Sequence, residues 1–196
     1  MRVAKNSESN FLENNLRVIG GTWRGRKLKV PVGPGLRPTP NRVRETLFNW
    51  LQPVIEGARC LDLFAGSGML GFEACSRGAE QVLMVENNLK TYQMLQTNIT
   101  YLATQKITAI YQDSLHYLEN STSQPFHIIF LDPPFDSKLL LPIFQSLEQN
   151  HWVTHGSYIY IEESKKNGFS ALPDTWVKFR SKQTGEVNYS LVYKEI

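Results

Sequence analysis

Arg59-Cys60-Leu61-Asp62-Leu63-Phe64-Ala65-Gly66-Ser67-Gly68-Met69 sets a short apolar run, Arg59 to Phe64, directly against a glycine turn, and a helical pattern over Met69 to Arg77 opens on that turn. Gly66, Gly68 and Gly71 satisfy G-x-G-x-x-G, and Glu86 stands 20 residues beyond the first of them, at the end of a second apolar run, Gln81 to Glu86. Strand, glycine turn, helix and a second strand ending on an acid make one unit that binds its ligand at the carboxyl ends of the strands.

The alternation continues outward from this unit. Asn87 or Asn88 caps a helix running to about Leu102, Ile107 to Tyr111 reads as a strand, Asp113 to Leu118 as a short helix and Phe126 to Leu131 as a fourth strand. Lys138 to Gln149 is helical, with Pro142 early enough for a first turn, and Ser157 to Ile161 is the fifth strand. Trp176 to Lys182 and Val187 to Glu195 close the chain as a hairpin across Thr184-Gly185. The expected fold is α/β: a Rossmann-like, doubly wound parallel sheet with helices on both faces and an antiparallel hairpin at its edge.

Two cofactor classes suit such a glycine turn. An NAD(P)-dependent oxidoreductase would lay a pyrophosphate on it. Asp62 opposes that reading, because a carboxylate at the end of the first strand repels a pyrophosphate and attracts the ammonium group of S-adenosyl-L-methionine. With that cofactor the glycines let the backbone approach the methionine and ribose parts, and Glu86 accepts hydrogen bonds from the ribose hydroxyls. Asp113 and Ser114 would flank the adenine, although Asp-Ser is also an ordinary helix N-cap. Asp62, Phe64, Ala65, Gly66, Ser67, Gly68, Glu86, Asn87, Asp113 and Ser114 form the candidate cofactor set.

The tetrapeptide Asp132-Pro133-Pro134-Phe135 stands at the end of the Phe126 to Leu131 run, 70 residues after Asp62. Its residue types suit methyl transfer to an exocyclic base nitrogen. The lone pair of such an amine is delocalised into the ring, so the nitrogen is a poor nucleophile until acceptors hold it in a tetrahedral shape. Two prolines fix their φ angles and remove two N–H donors, leaving Asp132 and the Pro133 carbonyl to accept hydrogen bonds from the amine. Phe135 would stack on the base. The catalytic candidates are Asp132, Pro133, Pro134 and Phe135; adenine N6, cytosine N4 and guanine N2 would all suit this corner.

The chain has 196 residues, 41% hydrophobic and 20% charged, which suits one catalytic domain with an appendage and excludes a disordered polymer. Apolar runs are strand-sized, and Met1 to Asn15 is a polar stretch without a signal-peptide core, so a flexible tail and a cytoplasmic protein are expected. Cys60 and Cys75 have neither metal nor redox spacing and read as reduced core residues. His116, His127, His151 and His155 do not cluster with Cys or carboxylates, so no metal site is expected.

The net charge of +3 conceals a segregation. Eight basic residues and no acid lie between Arg17 and Arg44, leaving 13 of the 21 basic residues against all 18 acids elsewhere, a net of −5. That is the footprint of a polyanion-binding arm. Leu16 to Ile19 and Thr22 to Val32 flank Gly20-Gly21 as a hairpin, with Trp23 set among arginines as a ribbon against RNA requires. Pro31 to Pro40 reads as a linker, and Thr39 as the cap of a helix that begins at Pro40 and buries Val43, Leu47, Trp50 and Leu51. Arg17, Trp23, Arg24, Arg26, Lys27, Lys29, Arg42 and Arg44 are the RNA-binding candidates. The expected division is a tail over 1–15, an arm and linker over 16–39, and a catalytic domain over 40–196.

Three segments carry a family resemblance: Arg17-Val18-Ile19-Gly20-Gly21-Thr22-Trp23-Arg24-Gly25-Arg26-Lys27-Leu28, Arg37-Pro38-Thr39, and Arg42-Val43-Arg44-Glu45-Thr46-Leu47-Phe48-Asn49-Trp50-Leu51. With the glycine loop and the proline corner, they make the chain from Leu16 onward resemble the bacterial 16S ribosomal RNA guanine-N2 methyltransferases, of the guanine 966 type. The resemblance implies a seven-stranded class I methyltransferase fold, S-adenosyl-L-methionine as donor, and one guanine of 16S rRNA within the 30S subunit or an assembly intermediate as target. It also implies that Arg37 and Thr39 line the mouth of the cofactor site and that the arm from Arg17 to Lys29 grips RNA. Pro40-Asn41 and Asn88 depart from the family pattern, and both remain adequate helix starts. A monomer is expected, since no exposed helical seam is visible.

Overall fold

The computed structural model describes residues 13–31, 39–122, 124–134, 138–167 and 170–195, so the candidates Arg37 and Phe135 and most of the expected linker lie outside the described residues. β1 (Glu13–Arg17) and β2 (Lys27–Pro31) pair as a separate antiparallel ribbon. α1 (Asn41–Leu51) leads to β3 (Arg59–Asp62), α2 (Met69–Ser76), β4 (Gln81–Glu86), α3 (Leu89–Leu102), β5 (Ile107–Tyr111), α4 (Ser114–Leu118), β6 (Ile128–Leu131), α5 (Leu140–Gln149), β7 (Tyr158–Ser164), β8 (Trp176–Thr184) and β9 (Val187–Lys194). The last seven strands form one sheet in the order β5-β4-β3-β6-β7-β9-β8, parallel from β5 to β7 and antiparallel across β9 and β8.

Strand order reverses direction between β3 and β6, which opens a crevice at their carboxyl ends. Every residue of β6 is buried, as expected of a central parallel strand covered on both faces. Its alternate side chains feed two cores. Ile128 and Phe130 join Leu47, Phe48, Phe72 and Leu95 on the α1–α2–α3 face, whereas Ile129 and Leu131 join Leu118, Phe144 and Leu147 on the α4–α5 face. Cys60 and Cys75 are free and buried. Among the described residues no helix is long and apolar enough to cross a membrane.

Several boundaries differ from the sequence reading. β1 begins at Glu13, so residues 13–15 belong to the ribbon and not to the tail; Glu13 pairs with Pro31, which therefore ends β2 and does not open the linker. Gly20-Gly21 is not a two-residue turn. The ladder ends where Val18 and Arg26 pair, and the loop between them serves another purpose, described below. Thr39 makes no cap: Pro40 occupies the cap position of α1, without a side-chain hydrogen bond. Asn88, not Asn87, caps α3, accepting from the Lys90 and Thr91 N–H groups at 3.1 Å. The C-terminal turn falls on Gly185-Glu186, and β7 runs on to Ser164 because β9 pairs with it as far as Val187.

Candidate active site

Asp62 ends β3 and is buried, with its Oδ2 accepting from the Gly71 N–H at 3.1 Å across the glycine turn. Burial pushes its carboxyl up to about 7; the Gly71 N–H opposes this, and the nearby Glu86 charge adds to it. Glu86 ends β4, the neighbouring strand. Its two oxygens accept from the Gly66 N–H at 2.8 Å and the Asn88 N–H at 2.7 Å, which fixes the carboxylate against the glycine loop. Gly68 starts α2 at φ 74°, where a Cβ would come within 2.5 Å of Leu95 and 2.6 Å of Phe72, so only glycine fits this turn against α2 and α3. Two carboxylates at adjacent strand ends, beside a loop with Phe64 half-buried and Ala65 and Ser67 buried, fit a ligand carrying an ammonium group and a vicinal diol.

Beyond the cleft, Asp113 and Ser114 stand at the end of β5, and both are engaged structurally. Asp113 caps α4, accepting from Leu115 and His116 N–H groups, and the Ser114 hydroxyl donates to the Leu63 carbonyl at 2.6 Å. They flank the cleft as a wall, tied to the strand that carries Asp62. Asn87 is exposed at its rim.

Asp132 follows β6, and Pro133 is buried behind it with Pro134 exposed. Leu131 pairs with Ile161, so Asp132 and Glu162 continue the two strands side by side. Glu162 is buried and accepts from the Tyr160 hydroxyl at 2.8 Å. The Thr39 side chain hydrogen-bonds to both carboxyls. Asp132, half-buried, is raised well above the usual carboxylate range by desolvation, then by the Glu162 and Asp62 charges, against the lowering hydrogen bond from Thr39. Desolvation likewise raises Glu162. Three acids, at the end of β3, just after β6 and within β7, thus hold protons more tightly than free carboxylates do. Glu162 is not among the candidates that the sequence reading singles out. The signal was available: Tyr158-Ile159-Tyr160-Ile161-Glu162 is an apolar run ending on an acid, as Ile128 to Asp132 is.

The arm is docked. Glu73 of α2, fully buried, accepts from the Ile19 N–H at 2.8 Å and the Gly20 N–H at 2.7 Å. Ser76 takes the Thr22 N–H on its carbonyl and the Trp23 N–H on its hydroxyl oxygen, and that hydroxyl donates to the Gly20 carbonyl. Asn98 of α3 brackets Lys29 with one bond to its N–H and one to its carbonyl. Gly21, at φ 74°, lies so close that a Cβ would meet the Ser76 carbonyl oxygen at 1.7 Å. The loop is therefore fixed at the far end of α2, about 12 Å from the mouth by the rise of an eight-residue helix.

One RNA-binding candidate is corrected. Arg44 is fully buried: it donates to the Arg17 carbonyl and the Asn41 side chain and lies 3.7 Å from Glu73, because its position on α1 faces inward with Val43, Leu47 and Phe48. Burial lowers its pKa, against the raising effect of Glu73. Trp23 is half-buried and packs on the core. It also borders a hollow of about 790 Å³ with Cys75, Arg77 and Lys106, away from the strand ends. Arg17, Arg24, Arg26, Lys27, Lys29 and Arg42 are exposed. No cluster of three or more metal-ligating side chains occurs among the described residues.

Comparison with known proteins follows the same lines. The family model described as conserved hypothetical protein 95 matches residues 16–193. Ribosomal RNA small subunit methyltransferase D of Escherichia coli strain K12 is 44% identical over 180 residues, covering 92% of this chain and 90% of that protein. The Haemophilus influenzae protein of the same name is 42% identical over 182 residues, covering 91% of this chain and 94% of its own. The solved structure of yhhF from Escherichia coli superposes with a TM-score of 0.87 at 41% identity, over 93% of this chain and 99% of that one.

Proposed function

The chain belongs to the conserved hypothetical protein 95 family, alongside the small-subunit ribosomal RNA methyltransferase D proteins, and from that premise we propose that it methylates the N2 amino group of one guanine in 16S rRNA, at position 966. S-adenosylmethionine is the methyl donor and supplies a methyl group already activated on a sulfonium, so no metal is needed. One juxtaposition supports the reading most: the Asp132 corner follows β6, next to the β3 end that carries Asp62, with Glu86 one strand further on β4.

Each residue has a task that its surroundings permit. Asp62 faces the donor's ammonium group, and a cation there draws its carboxyl back toward the ionised form. Glu86, held by Gly66 and Asn88, takes the ribose hydroxyls. Asp132 and the Pro133 carbonyl accept from the guanine amine and align its lone pair with the methyl group, so that positioning supplies much of the acceleration. When the nitrogen gains the methyl it loses a proton. Asp132, raised by burial and by Glu162, is a stronger base than an ordinary aspartate and receives that proton before passing it to solvent. Thr39 and Tyr160 hold Glu162, and Thr39 also holds Asp132, so the acceptor does not swing away from the amine. Phe135 stacks on the base once it is swung out of its helix. The substrate is a 30S particle or its assembly intermediate, met by a monomer through Arg17, Arg24, Arg26, Lys27 and Lys29.

Methyl incorporation into 30S particles, stripped 16S RNA and duplex DNA, with mass mapping of the modified nucleoside, tests this. Asp132→Ala should abolish turnover while S-adenosylmethionine affinity changes by less than about threefold, because the carboxylate acts on the amine. Methylation of DNA adenine with none on guanine, or binding of NADH and not of S-adenosylmethionine, would overturn the assignment.

A further inference from the structure

The arm's loop lies a helix length from the mouth, so basic groups elsewhere must hold the nucleotides beside the target base. We infer that the outer edge of the C-terminal hairpin, Phe179, Arg180 and Lys182 on β8, is a second RNA-contact surface for single-stranded RNA flanking that base. This rests on the reading that the substrate is RNA.

β8 is the edge of the sheet, paired only with β9, and every residue after Trp176 is exposed. Its three charged residues, Lys178, Arg180 and Lys182, are all basic. Lysines on an edge strand can serve simply to deter edge-to-edge pairing. That role does not account for Val177 and Phe179, which remain 44% and 47% exposed beside the cations and would themselves promote association.

A bulge between Lys178 and Arg180 decides where the cations point. It sets Arg180 opposite Leu191 and Lys182 opposite Tyr189, and these in turn pair with Tyr160 and Glu162 on β7. Cross-strand partners share a face. Arg180 and Lys182 are therefore on the face of Glu162, and Lys182 lies in its row, about 10 Å away across two strand spacings, with Asp132 one spacing further. In a regular ladder Phe179 would take the place opposite Leu191, and both cations would turn to the other face.

Aromatic rings support the same row. The Arg180 guanidinium lies 4.9 Å from the Phe179 ring, and the Lys182 ammonium 6.0 Å from the Trp50 ring, which stacks on Tyr189 at 5.7 Å. Tyr158 braces Phe179 edge-on at 5.8 Å. Among the described residues neither Arg180 nor Lys182 has an acidic partner, so their charge is held over aromatic faces and not neutralised. Cations spaced along a strand with a ring between them bind phosphates and stack a base, which is how sequence-tolerant sites hold single strands. The arm packs on α2 and α3, near the β5–β4 side, and β8 closes the opposite side. The two basic surfaces bracket the catalytic crevice.

The test uses the full chain, R180Q/K182Q, R180K/K182R and Phe179→Ser. The probe is a 16S-derived fragment containing the target guanine, titrated between 50 and 200 mM salt. Removing two phosphate contacts should weaken RNA binding about tenfold and flatten the log-affinity against log-salt slope by about 1.4. The conservative pair should restore both values, Phe179→Ser should weaken binding without changing the slope, and S-adenosylmethionine should raise the melting temperature of every variant equally. Unchanged RNA affinity and slope in R180Q/K182Q, with the parent binding normally, would overturn the surface and leave the enzyme assignment standing. Failure of the parent to bind RNA would overturn both. Loss confined to binding of an acidic protein would also refute it.

Discussion

Replacing Asp62 with asparagine should stabilise the unliganded protein while abolishing its response to S-adenosylmethionine. The Asp62 carboxyl titrates at about 7 in the folded chain against 3.8 when free, so the folded state holds the proton more tightly than the unfolded state does. Ionising this buried group therefore costs stability. The cost is absent below the unfolded value, grows as pH rises through the window between the two, and is complete above the folded value. At about 1.4 kcal/mol per pH unit it reaches about 4 kcal/mol. Asparagine removes this cost and can still accept from Gly71, but its NH2 then meets the Phe64 N–H that the carboxylate accepted, a loss of about 1–3 kcal/mol. The net gain at pH 8 is about 2 kcal/mol, or roughly 5 °C in melting temperature for a chain of this size. At pH 4.5 the gain should vanish or reverse. Adding S-adenosylmethionine should raise the parent melting temperature and leave the variant unmoved, since the ammonium loses its counter-charge. Calorimetric melts at the two pH values, with and without the ligand, decide the matter. A variant less stable than the parent at pH 8, or a difference that ignores pH, would refute the electrostatic account of this site.

Thr39→Val removes the hydroxyl that Asp132 and Glu162 share, so both carboxyls rise further. The acid limb of the rate-against-pH profile should move upward and turnover at neutral pH fall, with donor affinity intact; an unmoved limb would mean that Thr39 does not act on the acids. Gly21→Ala drives a Cβ into the Ser76 carbonyl and should lift the arm loop from α2. RNA affinity and protection of the arm from protease should both fall while S-adenosylmethionine binding holds, and retained protection would show that the loop tolerates the side chain.

Much of the crevice at the strand ends is legible in the sequence because its parts are local. An apolar run ending on an acid and a turn is a strand end whatever the rest of the chain does, so the strand-end positions of Asp62, Glu86 and Asp132 follow without knowledge of the strand order. Hydrophobic period likewise placed α1 and α3, and turn chemistry placed the closing hairpin to within two residues.

Charges are less legible, because a basic side chain carries no local mark of whether it meets solvent or a buried acid. Arg44 looked like its neighbours in the arm, and only the packing of α1 on α2 brought it against Glu73, 29 positions away. Thr39 looked like a helix cap, and only the sheet order set it beside Asp132 and Glu162. Element type follows from contacts within a few residues, which composition and period encode. The pairing of distant polar groups follows from how those elements stack, and burial then decides which charges are available to a substrate and which hold the fold together.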